Sequence, residues 1–182
     1  MAIWISSLAA APALVQKHKP ERIVSLLSPY DSFPVFDGHA DDRHLRVAIH
    51  DIADDVGDWR APAHTDAESV IRFVEGWSKT APLLIHCWAG ISRSTASAFI
   101  TACIHNPGSD EEEIAWAIRN ASPTASPNLR LVAHADALLG RAGRMSRAVE
   151  AIGRPAYAGV DAKPFMIPAT IARTGDAGKP GG

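Results

Sequence analysis

The stretch that most restricts the fold is Leu83 to Thr95, LLIHCWAGISRST. Leu83-Leu84-Ile85 is a compact apolar run of the kind a central strand buries on both faces. His86 ends that run, and the residues from Cys87 to Arg93 form a turn containing Gly90. A helix is predicted to follow, from about Ser92 to His105, where Asn106-Pro107-Gly108 stops it. A strand that turns straight into a helix belongs in an α/β arrangement, with helices covering a mainly parallel sheet. Such sheets place ligands beyond the carboxyl ends of their strands, and Cys87 stands at that kind of position.

The flanking sequence repeats the pattern. Residues 2–8 (AIWISSL) read as an apolar strand, and Pro12 suits the first turn of a helix running to about His18. Ile23 to Leu27 reads as a buried strand, and His44 to His50 alternates as a half-exposed one. Turn-rich clusters make residues 28–42 a loop, and the acidic, Pro-containing stretch from Asp51 to His64 another. Thr65-x-x-Glu68 has the capping-box spacing, with Val70, Ile71, Val74 and Trp77 on one helical face. Ser109-x-x-Glu112 is expected to open a further helix, and Pro127-Asn128 one that turns Val132, Ala135 and Leu139 inward. The domain is expected over residues 1–154. Residues 155–182, which end in GDAGKPGG, read as a poorly ordered tail.

Composition narrows the partners. A chain of 182 residues with 47% hydrophobic residues suits one globular domain. Its formal net charge of −2 supplies no basic field for nucleic acid or an anionic membrane. No apolar stretch approaches the length of a membrane span. Two cysteines, Cys87 and Cys103, are too few for a disulfide scaffold, so a cytoplasmic setting is expected. MAIWISSLAAAPALV ends in small residues like a cleavage site but lacks a basic leader, and is read as part of the fold.

With no global positive field, an anion site must be built locally. The turn at 87–93 can do this, because a loop entering a helix N-terminus aims several backbone N–H groups at one spot. Trp88, Ala89, Gly90, Ile91, Ser92 and Arg93 would form that cradle. Gly90 permits a backbone conformation, or a close approach, that a β-carbon would forbid. Arg93 offers a planar fork suited to two phosphate oxygens. The same field favours a thiolate over a thiol at Cys87. A thiolate at the base of an anion cradle suggests in-line attack on phosphorus, giving a phosphocysteine that water hydrolyses. Ser94 can donate to the sulfur as it leaves, and His86 reads as a buried supporting donor. A thiolate already ionised by its loop needs no base, and no cofactor or metal is called for.

His86-Cys87-x-x-Gly90-x-x-Arg93-Ser94 resembles the signature of the protein-tyrosine-phosphatase superfamily. Ala89-Gly90-Ile91-Ser92-Arg93-Ser94 is most similar to its compact dual-specificity branch, which includes bacterial-type tyrosine phosphatases. Ser122-Pro123 and Pro127-Asn128 follow the signature helix in a similar order, and the likeness covers roughly residues 20–140. The resemblance implies a three-layer α/β cysteine-phosphatase fold acting on a phosphorylated protein or peptide, phosphotyrosine ahead of phosphoserine and phosphothreonine. It also implies a general acid, an aspartate on the loop upstream. Asp51, directly after HLRVAIH, is the favoured candidate, with Asp54 and Asp55 next and Asp58 on the same loop.

Competing readings attach to the same residues. A pseudophosphatase would keep the cradle and lose turnover. A phosphoinositide phosphatase often carries lysines inside the loop, where this chain has Trp88, Ala89, Ile91 and Ser92. A sulfur transferase or arsenate reductase would not require the Gly90 and Ser94 context. Cys103, among Phe99, Ile100 and Ile104, reads as core. The other histidines, His44 and His50 among them, show no metal-ligand spacing and read mostly as surface residues, and Arg119 and Arg130 as solvated helix charges.

Overall fold

The computed structural model of the chain describes residues 1–157 and 159–171. In chain order the elements are β1 (Ala2–Ser7), α1 (Ala11–His18), β2 (Arg22–Leu27), β3 (His44–Ala48), α2 (His64–Glu75) and β4 (Leu83–Cys87). They continue with α3 (Arg93–His105), α4 (Glu111–Ala121), α5 (Leu129–Leu138), α6 (Arg144–Ala151) and β5 (Phe165–Pro168). One five-stranded sheet runs β3-β2-β4-β1-β5. The first four strands are mutually parallel, and β5 joins β1 antiparallel.

Two layers of unequal size cover the sheet. Ile3, Ile5, Val24, Leu26, Leu83 and Ile85 point to one face and merge with the apolar stripes of α2 to α6 in a single large core. On the other face, Ile23 and Leu84 meet Ala11 of α1 and Phe36 of the loop before β3. The three-layer α/β expectation is met. Helix α3 is the buried spine of the thick layer, enclosed from Arg93 to Cys103. Its N-terminus is thereby fixed at the carboxyl end of β4.

Several local expectations need correcting. Helix α2 starts at His64, and the Asp66 carboxylate accepts the Ala63 N–H at 2.8 Å, so the Thr65 capping box does not form. Arg60 holds that carboxylate with two bonds of 2.7 Å, and this tie sets the helix start. Asp110, not Ser109, caps α4, accepting from the Glu112 N–H at 2.7 Å. Asn128 caps α5 as the sequence suggested, accepting from the Leu131 N–H at 3.0 Å.

The C-terminal stretch differs most. Phe165–Pro168 is the strand β5, so order extends well past residue 155, where a tail was expected. Asn106, read as a helix stop, clamps this segment by donating to Ala169 O at 2.9 Å and accepting from the Ile171 N–H at 2.9 Å. Four residues are too few for the alternation of Phe165 and Ile167 to register as a period. The GDAGKPGG sequence lies outside the described residues.

Candidate active site

Cys87 ends β4 in the middle of the sheet, with Ser7 of β1 and Leu26 of β2 as its neighbours in register. The chain then wraps back over the sulfur. The Gly90 N–H donates to Cys87 Sγ at 3.2 Å, and Ser94 Oγ lies 3.2 Å from the same atom. Cys87 is 1% exposed, so these contacts, not water, surround the sulfur.

Gly90 is required twice over. Its φ of +75° disfavours any residue with a side chain, and a β-carbon would sit 2.7 Å from both Ser6 C and Ser7 N. The loop thus lies directly on the end of β1. Its outward carbonyls are also fixed: Leu8 N–H donates to Trp88 O at 3.1 Å and Ala162 N–H to Ala89 O at 2.9 Å. Ser126 N–H donates to Ile91 O at 2.9 Å and Asn128 N–H to Ser92 O at 3.3 Å. Trp88 remains half-exposed and lines a cleft of about 320 Å³ with Leu8, Ala9, Val160 and Asp161.

Arg93, in the first turn of α3, is buried, and its Nη1 donates to Ile49 O at 2.8 Å. Its Nε has no hydrogen-bond partner. A buried guanidinium donor left unpaired is costly unless an anion satisfies it, so the group is set to receive one. The nearest carboxylate oxygen is Asp51 Oδ2, 3.8 Å from Nε.

Asp51 is held at the mouth of the site. Its Oδ1 accepts from Ser92 Oγ at 2.6 Å and from Asn128 Nδ2 at 3.0 Å. The other loop aspartates are engaged elsewhere: Asp54 pairs with Arg130 at 3.3 Å, and Asp55 accepts the Ala61 N–H at 2.7 Å. Asp58 is exposed. Of the four, Asp51 is the one the structure brings to Arg93.

His86 is fully buried on the opposite face of the sheet, and burial pulls its imidazole down to about 4. It is therefore neutral at physiological pH and serves as a hydrogen-bonding group. Burial likewise raises the Cys103 thiol far above its ordinary value, consistent with a core position in α3.

Sequence reasoning missed other residues. His44 and His50 are 1% and 5% exposed, not surface residues, because Phe36 covers the first and Tyr30 and Trp59 flank the second. Arg130 is no solvated charge: it donates to Ala53 O and Pro62 O, tying the acidic loop to α5. Arg119 likewise donates to the carbonyls of Ala125, Ile152 and Gly153. Among the described residues, no trio of His, Cys, Asp or Glu side chains gathers that could hold a metal, and no helix is long and apolar enough to cross a membrane.

No protein-family model matches the chain, and no curated protein matches its sequence. Solved structures do match. DUSP15 aligns with a TM-score of 0.55 at 21% identity, over 81% of this chain and 89% of that one. Human DUSP28 aligns with a TM-score of 0.58 at 19% identity, over 76% and 94%. The human tyrosine phosphatase-like serine/threonine/tyrosine-interacting protein aligns at 0.57 and 19%, over 75% and 86%.

Proposed function

From the compact dual-specificity fold of the protein-tyrosine-phosphatase superfamily, which this chain adopts, we propose that the protein is a cysteine-dependent phosphatase of phosphorylated proteins. Phosphotyrosine is the leading substrate, with phosphoserine and phosphothreonine also accepted. The observation that carries this reading is the arrangement around Cys87, with an N–H and a hydroxyl on the sulfur, together with a buried Arg93 at the start of the next helix whose Nε is unpaired.

The chemistry runs in two steps. The Cys87 thiolate attacks phosphorus, the ester P–O bond breaks, and Asp51 in its acid form gives its proton to the departing oxygen. Loop N–H groups and the Arg93 fork hold the three non-bridging oxygens as charge redistributes. Water then attacks the phosphocysteine, Asp51 takes up the water proton, and the P–S bond breaks. Ser94 stabilises the returning thiolate, and inorganic phosphate leaves. Both cysteines are free thiols, which suits a reducing compartment such as the cytoplasm.

The deciding experiment is phosphate release from p-nitrophenyl phosphate and a phosphotyrosine peptide in the presence of EDTA. The wild type should turn over both, and Cys87→Ser should lose at least ~10³-fold in kcat while still binding phosphate. Binding by the wild type without turnover would make the protein a phosphate-binding pseudophosphatase instead. Turnover that EDTA removes and a divalent ion restores would defeat the thiolate mechanism.

A further inference from the structure

Trp88 follows the nucleophile directly, yet its side chain is half-exposed and forms one wall of the cleft of about 320 Å³ that Leu8, Ala9, Val160 and Asp161 complete. Leu8 and Ala9 continue the chain from β1, whose Ser7 is the neighbour of Cys87 in register. The cleft is therefore at the carboxyl end of the sheet, the end at which Cys87 stands. In the strand order β3-β2-β4-β1-β5 it lies on the β1 side of Cys87, whereas Asp51, on the loop after β3, lies on the other. The reacting group is thus flanked by an acid on one side and this cleft on the other.

The far wall is held against the cradle. Ala162 is buried and its N–H donates to Ala89 O at 2.9 Å, which fixes the residue before it. That residue, Asp161, is exposed and enters no ion pair among the described residues. Val160 beside it is exposed as well, and among the described residues no cation lines the cleft. Its charge is therefore negative, next to a cradle whose fixed charge is positive. An indole, aliphatic walls and one carboxylate suit a cation on an apolar stem. An arginine or lysine side chain lays its methylenes on Leu8 and Val160 and brings its head to Trp88 and Asp161. The guanidinium fits better, because it is planar, stacks on indole and presents a fork to a carboxylate. An acidic side chain is repelled there.

We propose that this cleft is a subsite for an arginine or lysine of the substrate, so that the protein selects phosphorylated segments with a basic residue close to the phosphorylated one. The inference deepens the phosphatase reading and rests on it. Between Cys87 and Arg93 the loop holds only uncharged residues, so the cradle reads the phosphate and leaves the flanking sequence to Trp88 and Asp161. An extended peptide advances about 3.3 Å per residue, and adjacent strands are about 4.8 Å apart. A basic residue within three positions of the phosphorylated one therefore reaches the cleft while the phosphate occupies the cradle.

The test uses phosphotyrosine peptides of otherwise small neutral residues, with Arg, Lys, Ala or Glu at one of the three positions on either side. At the best position, wild-type kcat/KM should be roughly five- to tenfold higher for Arg than for Ala, and lowest for Glu. Asp161→Asn should reduce the Arg-to-Ala ratio to about twofold, and Asp161→Lys should place Glu above Arg. Trp88→Leu should erase the advantage of Arg over Lys, and high salt should shrink the preference for both. Each ratio compares substrates on one protein, so a general loss of stability or activity does not move it. An Arg-to-Ala ratio near one at every position, or one that survives Asp161→Lys, would overturn the proposal. Fluorescence anisotropy of the same peptides on Cys87→Ser separates the two readings. If the wild type hydrolyses no phosphoester but that variant binds the Arg peptide more tightly, and Asp161→Lys removes the difference, the subsite stands and the phosphatase reading falls. If p-nitrophenyl phosphate is hydrolysed while the peptides show no preference, the subsite falls and the phosphatase reading stands. With neither hydrolysis nor selective binding, both fall.

Discussion

The 87–93 loop and the acidic loop that follows β3 face each other across the site, yet they are held in different ways. The first is gripped through its backbone: the carbonyls of Trp88, Ala89, Ile91 and Ser92 accept from Leu8, from Ala162 and, for the last two, from Ser126 and Asn128. The second is tethered by side chains, with Arg130 on Ala53 O and Pro62 O, Asp55 on the Ala61 N–H, and Ser92 and Asn128 on Asp51. Backbone ties fix a shape that must not change during reaction, because the cradle is useful only if its N–H groups already converge. Side-chain ties fix a position that can be given up. In the proposed reaction Asp51 would trade Ser92 and Asn128 for a substrate oxygen, an exchange that side-chain tethers permit.

The sharpest way to break this contrast is at Gly90. Gly90→Ala drives a β-carbon into the backbone of Ser6 and Ser7 and strains a positive φ. It should cost about 2–4 kcal/mol in stability, read as the urea midpoint, and abolish phosphate binding. A Gly90→Ala protein with wild-type stability and activity would mean the loop is not seated on β1.

At the acid, the effect should depend on the leaving group. Asp51→Asn keeps the bonds to Ser92 and Asn128 within reach but removes the transferable proton. It should slow phosphotyrosine-peptide hydrolysis by ~10²–10⁴-fold in single turnover and p-nitrophenyl phosphate far less, because nitrophenolate leaves readily. Asp54→Asn and Asp55→Asn should leave that ratio unchanged. Equal slowing of both substrates by Asp51→Asn would move the acid elsewhere on the loop.

The smallest effect is expected at the tether. Arg130→Ala frees Ala53 and Pro62 without touching the cradle, so kcat on a phosphotyrosine peptide should fall about 2–5-fold. Phosphate affinity, set by the 87–93 loop, should not move. Weakened phosphate binding in that variant would show that the two loops are not independently held.

The same contrast explains what was legible in the sequence. Cys87, Gly90, Arg93 and Ser94 lie within one turn and one helix start, so their spacing alone describes the cradle. Asp51 was favoured because the resemblance places an acid after that strand, and its carboxylate lies 3.8 Å from Arg93 Nε. Asn128 was read as a helix cap, and its second bond, to Asp51, depends on where α5 packs. His44 escaped because an alternating strand says which residues share a face, not that Phe36 will cover that face. Arg119 and Arg130 escaped because their partners are backbone carbonyls, which leave no trace in residue identity. Strand β5 escaped because its order comes from Asn106 and β1, both remote in sequence.

The position of β1 carries one more consequence, for the order of events at the ribosome. This strand leaves well before its partners, yet it sits inside the sheet: Ile3 must wait for Leu83 on one side and for Ile167 on the other. Such long-range pairing is slow to form, and its apolar residues stay uncovered while synthesis continues. The segment that donates to Ala89 O and the strand that completes the sheet both emerge some seventy residues after the signature. Closure of the loop after Cys87 is thus coupled to synthesis of the segment from Ala162 to Pro168. A chain halted at Arg154 would carry the entire signature and lack both Ala162, which holds Ala89 O, and the strand that pairs with β1.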